Sequence, residues 1–237
     1  MPPQRVLGMP VFHDDQHGTA VVVLGAMINA LRITGKRASD MNVAISGAGA
    51  AGWTIAHFLL GNGVGNVVLC DRVRAIYRGR KEGMHPAKMR IAEQTNLDNE
   101  KGPLEEVIRG KDALIDVSTA GLASGQMVRS MAPGAIVFAM ANPIPEVWPH
   151  EALEAGAAVA TDGRHLNNAL EFPGIFRGAL DARACHINEA MKRAAAGALT
   201  DLALEGELVP DFMDRAVHRA VADAVADAAR DSGVARA

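Results

Sequence analysis

Two stretches of this chain bring together residue types that chemistry could use. The first is His13-Asp14-Asp15-Gln16-His17, two carboxylates and two imidazoles in five residues. His13 and His17 stand at i and i+4, the spacing of a zinc metalloprotease helix. That pattern needs a Glu after the first His, and an Asp stands there. Hard cations prefer oxygen ligands, so a carboxylate here could bind Mg2+ or Mn2+. In an irregular segment adjacent residues point different ways. One of Asp14 and Asp15 would then touch the metal while the other orients or discharges a general base. The competing reading is a capping cluster ahead of a buried helix.

The second stretch is Gly47-Ala48-Gly49-Ala50-Ala51-Gly52. A β-branched run, Asn42-Val43-Ala44-Ile45-Ser46, leads into it, and an apolar helix-length segment follows. A second apolar run, Asn66-Val67-Val68-Leu69-Cys70, then ends at Asp71. Strand, Gly-x-Gly-x-x-Gly, helix, strand and acid in that order form the dinucleotide-binding βαβ fingerprint. Gly47 permits the tight turn, Gly49 lets a pyrophosphate approach the backbone, and Gly52 lets helix and strand pack closely. The pyrophosphate would rest on the free N–H groups and positive dipole end of the helix starting near Ala50. Asp71 lies 24 positions after Gly47, where a carboxylate can accept from the adenosine ribose hydroxyls. Its charge favours NAD over NADP, although Arg72 and Arg74 stand close by. Asn142-Pro143-Ile144-Pro145 and Asn167-Asn168 add three amides near strand ends or turns. Amides both donate and accept, so these could grip a carboxylate, a hydroxyl or a carboxamide; Asn before Pro is also ordinary turn chemistry. Arg164 and His165 could pair with an anion or belong to a surface loop.

The elements that must position these groups follow from patterning. Residues 1–9 read as an irregular lead-in, and 19–34 as a helix apolar nearly all round, hence buried, closed by Gly35. Strands are expected at 43–46, 66–70, 113–117, 135–139 and 157–161. Helices are expected at 50–60, 86–95, 104–109, 124–131 and 149–155. Alternating strands and helices specify an α/β, Rossmann-like, doubly wound and mostly parallel sheet. Such sheets bind ligands at the carboxyl ends of their strands, where the turns at Gly47, Ser118, Asn142 and Asp162 fall. From Asn167 the sequence is alanine-rich and helical to about Arg230, broken at Gly206 and Pro210. It reads as one nucleotide-binding domain, 10–237, with helical N- and C-terminal segments.

Composition sets bounds. Among 237 residues, 49% are hydrophobic and 22% charged, enough to bury a core. A formal charge of −3 gives no electrostatic footprint for nucleic acid. The two cysteines, Cys70 and Cys185, form no C-x-x-C pair, so reduced thiols and a cytoplasmic location are expected. The N-terminus starts no signal peptide, and the apolar run 20–31 is too short to span a bilayer.

Taken together, these motifs resemble the bacterial malic enzymes. The resemblance rests on 11–20, Val-Phe-His-Asp-Asp-Gln-His-Gly-Thr-Ala, and on the glycine turn and Cys70-Asp71-Arg72. It continues through Asn142-Pro143, Asn168, the run Phe172-Pro173-Gly174-Ile175-Phe176-Arg177-Gly178-Ala179-Leu180, and Ile187-Asn188-Glu189-Ala190-Met191-Lys192. That family oxidises malate with NAD or NADP and decarboxylates the product to pyruvate, using Mg2+ or Mn2+. The resemblance implies Asp15 as a metal ligand and Asp14 as partner of a catalytic lysine. It implies Asn142 and Asn168 on malate. Thr19, Ser118, Thr119 and Asn142 join Gly47, Ala48, Gly49, Ala50, Ala51, Gly52 and Asp71 on the cofactor. In the family a preceding domain carries the catalytic tyrosine and lysine and an acidic pair completing the metal site. This chain starts after it, and its sole tyrosine, Tyr77, lies elsewhere. The segment 162–166 is also shorter than the family's loop with Ser-Asp and Pro-Asn-Gln. The expectation is an NAD-binding half that turns over little alone, as a homodimer or with a partner chain supplying the rest. The alternatives are a non-catalytic NAD-binding subunit or sensor, and another dehydrogenase on the same fold.

Overall fold

The computed structural model describes residues 10–119 and 122–236. Its contacts divide into two compact units, residues 30–165 and residues 1–29 with 166–237. The helical ends of the sequence thus form a unit of their own.

The 30–165 unit is built on five parallel strands, β1 (Asn42–Ser46), β2 (Asn66–Cys70), β3 (Ala113–Asp116), β4 (Ile136–Ala139) and β5 (Val159–Asp162), in the order β2-β1-β3-β4-β5. Register is continuous: Val43 pairs with Val67 on one side and Ala113 on the other, and Ala113 pairs with Ile136. β1, β2, β3 and β4 are buried along almost their whole length, as a sheet covered on both faces demands. The chain leaves β1 toward β2, then crosses back to β3 on β1's other side. The carboxyl ends of β1 and β3 are therefore the topological switch point, where such sheets open a ligand crevice.

Helix α1 (Asp14–Thr34) starts five residues earlier than its apolar pattern. Asp14 and Asp15 are its first two residues, where acids complement the positive end of the helix dipole. They do not sit in the irregular segment expected from sequence. By length and hydropathy this helix could cross a bilayer, which corrects the reading that the apolar run is too short. It carries Asp14, Asp15 and Arg32 at its ends, and its middle is core: Val21, Val22, Val23, Ala26, Met27 and Ala30 are buried. Gly35 ends it with a positive φ of 67°.

In the 30–165 unit, α2 (Ala50–Gly61), α3 (Pro86–Ala92), α4 (Leu104–Val107), α5 (Gly125–Arg129) and α6 (Pro149–Glu154) follow the expected order with frayed ends. The Ser124 hydroxyl caps α5 by accepting from Met127 N at 3.3 Å. In the other unit, α7 (Phe172–Asp181), α8 (Glu189–Leu202) and α9 (Arg215–Asp231) pack together, α9 against both neighbours. The alanine-rich tail breaks once more than expected. Arg183 turns left-handed at φ 49°, and Asn188 restarts the helix by accepting from Met191 N at 3.0 Å. Asn29 of α1 donates to the carbonyls of Thr200 and Leu208, tying α1 to this tail.

Candidate dinucleotide site

The glycine turn occupies the switch point, and each glycine answers to a different constraint. Gly47 has φ 103°, and a Cβ there would lie 2.8 Å from the Val117 carbonyl oxygen. A Cβ on Gly52 would collide with the Gly47 carbonyl. A Cβ on Gly49 would meet nothing within 4 Å. Packing therefore requires the outer two glycines, whereas Gly49 faces open space at the start of α2. No side chain caps α2 at Gly49, and no acid lies in its first turn. An uncapped, twelve-residue helix opening from a glycine turn is a ready anion site. Ala48 and Ala51 are half-buried around it, and Ala50 is exposed. These groups fit a dinucleotide pyrophosphate.

A buried acid stands across the crevice, and the sequence reading missed it. Asp116 ends β3 with no exposure and accepts from Ser118 N at 3.1 Å and Ser118 Oγ at 2.5 Å. Ser46 Oγ and Ser118 Oγ lie 3.2 Å apart, linking the ends of β1 and β3. Glu146 is buried beside Asp116 and accepts from Ala141 N at 3.0 Å. Asp116 Oδ2 and Glu146 Oε1 are both buried without a hydrogen-bond partner. Burial and the charge of Asp116 push Glu146 up to about 7, and burial also raises Asp116. Thr119 and Asn142 are exposed, Asn142 in a cis peptide with Pro143.

Asp71 follows β2 directly, and Gly47 N donates to the carbonyl of its neighbour Cys70 at 2.9 Å. The ribose expectation assumes an open carboxylate. The Asp71 carboxylate instead accepts from Val73 N, Arg74 N, Arg80 Nη2 and Lys88 Nζ. Burial alone would raise its pKa; the hydrogen bonds from Lys88 and Arg80 outweigh it and hold Asp71 at about 2. Neither cation was singled out from sequence, although both stand in the charged loop and helix after β2.

The other unit gathers the acidic motif. Asn168 Nδ2 donates to Asp14 Oδ2. Glu171 is fully buried, and both it and Asp14 reach toward the space a Cβ on Gly18 would occupy. Asp14 Oδ1 and both Glu171 oxygens lack a donor. Burial and the neighbouring Asp14 push Glu171 up to about 10, and burial raises Asp14 as well. Lys192, nearly buried, sits 3.2 Å from His17 Nδ1 and 2.9 Å from Glu189. Burial and Lys192 lower His17 to about 4, so it stays a neutral ring at physiological pH. Thr19 Oγ1 is turned to its own helix, donating to the Asp15 carbonyl at 3.3 Å. Asp15 is exposed. Among the described residues no group of three or more His, Cys, Asp or Glu side chains is placed to hold a metal. A divalent ion therefore does not follow from these side chains alone.

Sheet order, glycine turn and uncapped helix define a doubly wound, dinucleotide-binding domain. Residues 16–166 match the family model described as the malic enzyme NAD-binding domain. This chain belongs to the malic enzyme family. It is 50% identical, over 98% of its length, to the bifunctional malic/malolactic enzyme of Bacillus subtilis (strain 168), covering 59% of that protein. It is 44% identical to the NADP-dependent malic enzyme of Rhizobium meliloti (strain 1021), over 88% of this chain and 28% of that one. The crystal structure of a malic enzyme from Pyrococcus horikoshii superposes with a TM-score of 0.91 at 39% identity, over 96% of this chain and 56% of that one. The chain thus spans less than two thirds of each of these relatives.

Proposed function

We propose that this chain is the cofactor-binding half of a malic enzyme, acting in the NAD(P)-dependent oxidative decarboxylation of malate to pyruvate and CO2. The observation that carries the reading is the open space at Gly49 before the uncapped N-terminus of α2, set at the switch point of the sheet.

On this reading Gly47, Ala48, Gly49, Ala50, Ala51 and Gly52 hold the pyrophosphate on backbone N–H groups. A nicotinamide cofactor bound there supplies the hydride acceptor. Ser118, fixed by Asp116 and Ser46, and the exposed Thr119 and Asn142 face the cofactor from the ends of β3 and β4. Burial raises both Asp116 and Glu146, which lessens the negative charge that the crevice floor presents to a phosphate. Asn168 and Asp14 serve the substrate side, the Asn168 amide holding the Asp14 carboxylate in one orientation. Asp15 would be one ligand of Mg2+ or Mn2+, with the other ligands coming from outside the described residues.

Initial-rate measurement with L-malate, Mn2+ and NAD or NADP tests this. The 237-residue chain should bind the cofactor and produce little or no reduced cofactor, since Tyr77, its sole tyrosine, lies under Lys101 in the loop after β2. Robust turnover would refute the need for a partner. The exposed stripe of Phe172, Phe176 and Leu180 on α7 supports a homodimer or a partner chain. The free thiols of Cys70 and Cys185 support a cytoplasmic setting.

A further inference from the structure

We propose that Asp116 is a positioning residue of the dinucleotide site, acting through Ser118, and that with Glu146 it couples cofactor binding to proton uptake. The dinucleotide is then held more tightly in mildly acidic than in alkaline solution. The proposal rests on the reading that a dinucleotide binds at the glycine turn.

Asp116 stands beside that turn. It is the register partner of Ser46, the residue before Gly47. A Cβ on Gly47 would lie 2.8 Å from the carbonyl oxygen of Val117, the residue after Asp116. Asp116 Oδ1 accepts from Ser118 N at 3.1 Å and from Ser118 Oγ at 2.5 Å. A hydroxyl has one proton to give, and Asp116 takes it. Ser46 Oγ donates to Ser118 Oγ at 3.2 Å, which uses one of its two lone pairs. Ser118 is left with one lone pair, an acceptor for a hydroxyl or amide N–H of the cofactor.

The remaining oxygens carry the charge. Asp116 Oδ2 and Glu146 Oε1 are buried and without a partner. The other two already accept, Oδ1 from Ser118 and Glu146 Oε2 from Ala141 N at 3.0 Å. A proton gained by the pair therefore goes to a free oxygen, and Ser118 stays anchored in either state. What changes is the charge beside a bound pyrophosphate. Burial and Asp116 raise Glu146 to about 7, and burial raises Asp116. As pH climbs from about 6 to 8.5 the pair gains negative charge, which disfavours an anion beside it. By the same linkage, an arriving anion draws a proton onto the pair.

The groups facing the pair from other elements leave this charge change to it. Cys70 on β2 is raised to about 12, first by burial, and stays a neutral thiol over that range. Lys111 and Glu100, which also act on Cys70, pair with each other at 2.5 Å. Asp162 lies level with Asp116 two strands across, paired with Arg164 at 2.6 Å and His165 at 3.0 Å. His165 is exposed, and it is the rival source of a pH effect.

Calorimetric titration of the whole chain with NAD from about pH 6 to 8.5, in buffers of different ionisation enthalpy, tests this. NAD is the probe because its pyrophosphate has no proton to lose in that range. Wild-type affinity should fall about tenfold across it, the scale of one unit charge beside a bound anion. Binding near neutral pH should take up protons, and His165→Asn should still do so. The double variant Asp116→Asn with Glu146→Gln keeps an oxygen for Ser118 and carries no charge, so its profile should be flat, at the wild type's acidic affinity. Asp116→Ala, which frees Ser118, should bind about tenfold more weakly even at the acidic end. Binding without proton uptake, uptake lost in His165→Asn, or a slope that persists in the double variant would overturn the proton coupling. Wild-type affinity in Asp116→Ala would overturn the positioning role. The wild-type titrations need no variant to fold. Binding of NAD that ignores pH would overturn this inference alone; no binding of NAD or NADP at any pH would take the dinucleotide reading with it.

Discussion

The Asn168 amide donates to the Asp14 carboxylate across 154 positions of sequence, joining the first turn of α1 to the 3-10 turn Asn168–Leu170. That bond satisfies one oxygen of Asp14. The other faces Glu171, a fully buried carboxyl with no donor of its own.

Glu171→Gln should therefore stabilise the protein. Glu171 is raised from 4.5 to about 10, so at neutral pH folding must protonate it. At about 1.4 kcal/mol per pKa unit, roughly 3 kcal/mol of stability is forgone near pH 7. An amide carries no such charge and can donate to Asp14. Urea denaturation at pH 7 should show a higher midpoint for the variant; a lower one would contradict the acid pair.

Glu146 gives a pH dependence. It is raised from 4.5 to about 7 by burial and by Asp116, so between those values the folded state binds more protons than the unfolded one. Stability from this group is full below about pH 4.5 and falls as pH rises toward 7. Thermal melts from pH 5 to 8 should show this decline in the wild type and a smaller one in Glu146→Gln. Equal slopes would show that the pair is ionised throughout.

Much of this was legible in sequence where one physical demand fixed a residue. β1 and β2 read as strands because Val43-Ala44-Ile45 and Val67-Val68-Leu69 are buried on both faces, and only glycine fits at Gly47 and Gly52. What stayed hidden were features that depend on distant neighbours. Asp14 and Asp15 look like loop residues until α1 is seen to start on them. Asp116, Glu146 and Glu171 are isolated acids in sequence, and burial beside another acid leaves no local signal. Asp71 is legible in sequence as the acid that follows an apolar strand. Its saturation by Arg80 and Lys88 depends on how a loop and a helix fold back on it.

Two helix glycines should respond oppositely to alanine. A Cβ on Gly178 would lie 2.8 Å from Val225 Cβ and collide with the Ala222 carbonyl, because α7 crosses α9 there. Overpacking of this kind costs about 1–3 kcal/mol. A Cβ on Gly197 in α8 meets nothing within 4 Å, so Gly197→Ala should gain up to about 1 kcal/mol of helix propensity. Chemical denaturation of both variants checks the pair.

The glycine turn should separate folding from binding. Gly52→Ala drives a methyl into the Gly47 carbonyl and should lower the melting temperature. Gly49→Ala adds a methyl in open space and should leave melting within about 2 °C of wild type.

The most direct test of the central claim is calorimetric titration of wild type and Gly49→Ala with NAD and NADP. The account predicts saturable, one-to-one binding to the wild type. It predicts at least tenfold weaker binding to the equally stable Gly49→Ala, whose methyl occupies the pyrophosphate's place. Binding unaffected by that methyl, or no binding of either cofactor to the wild type, would contradict it.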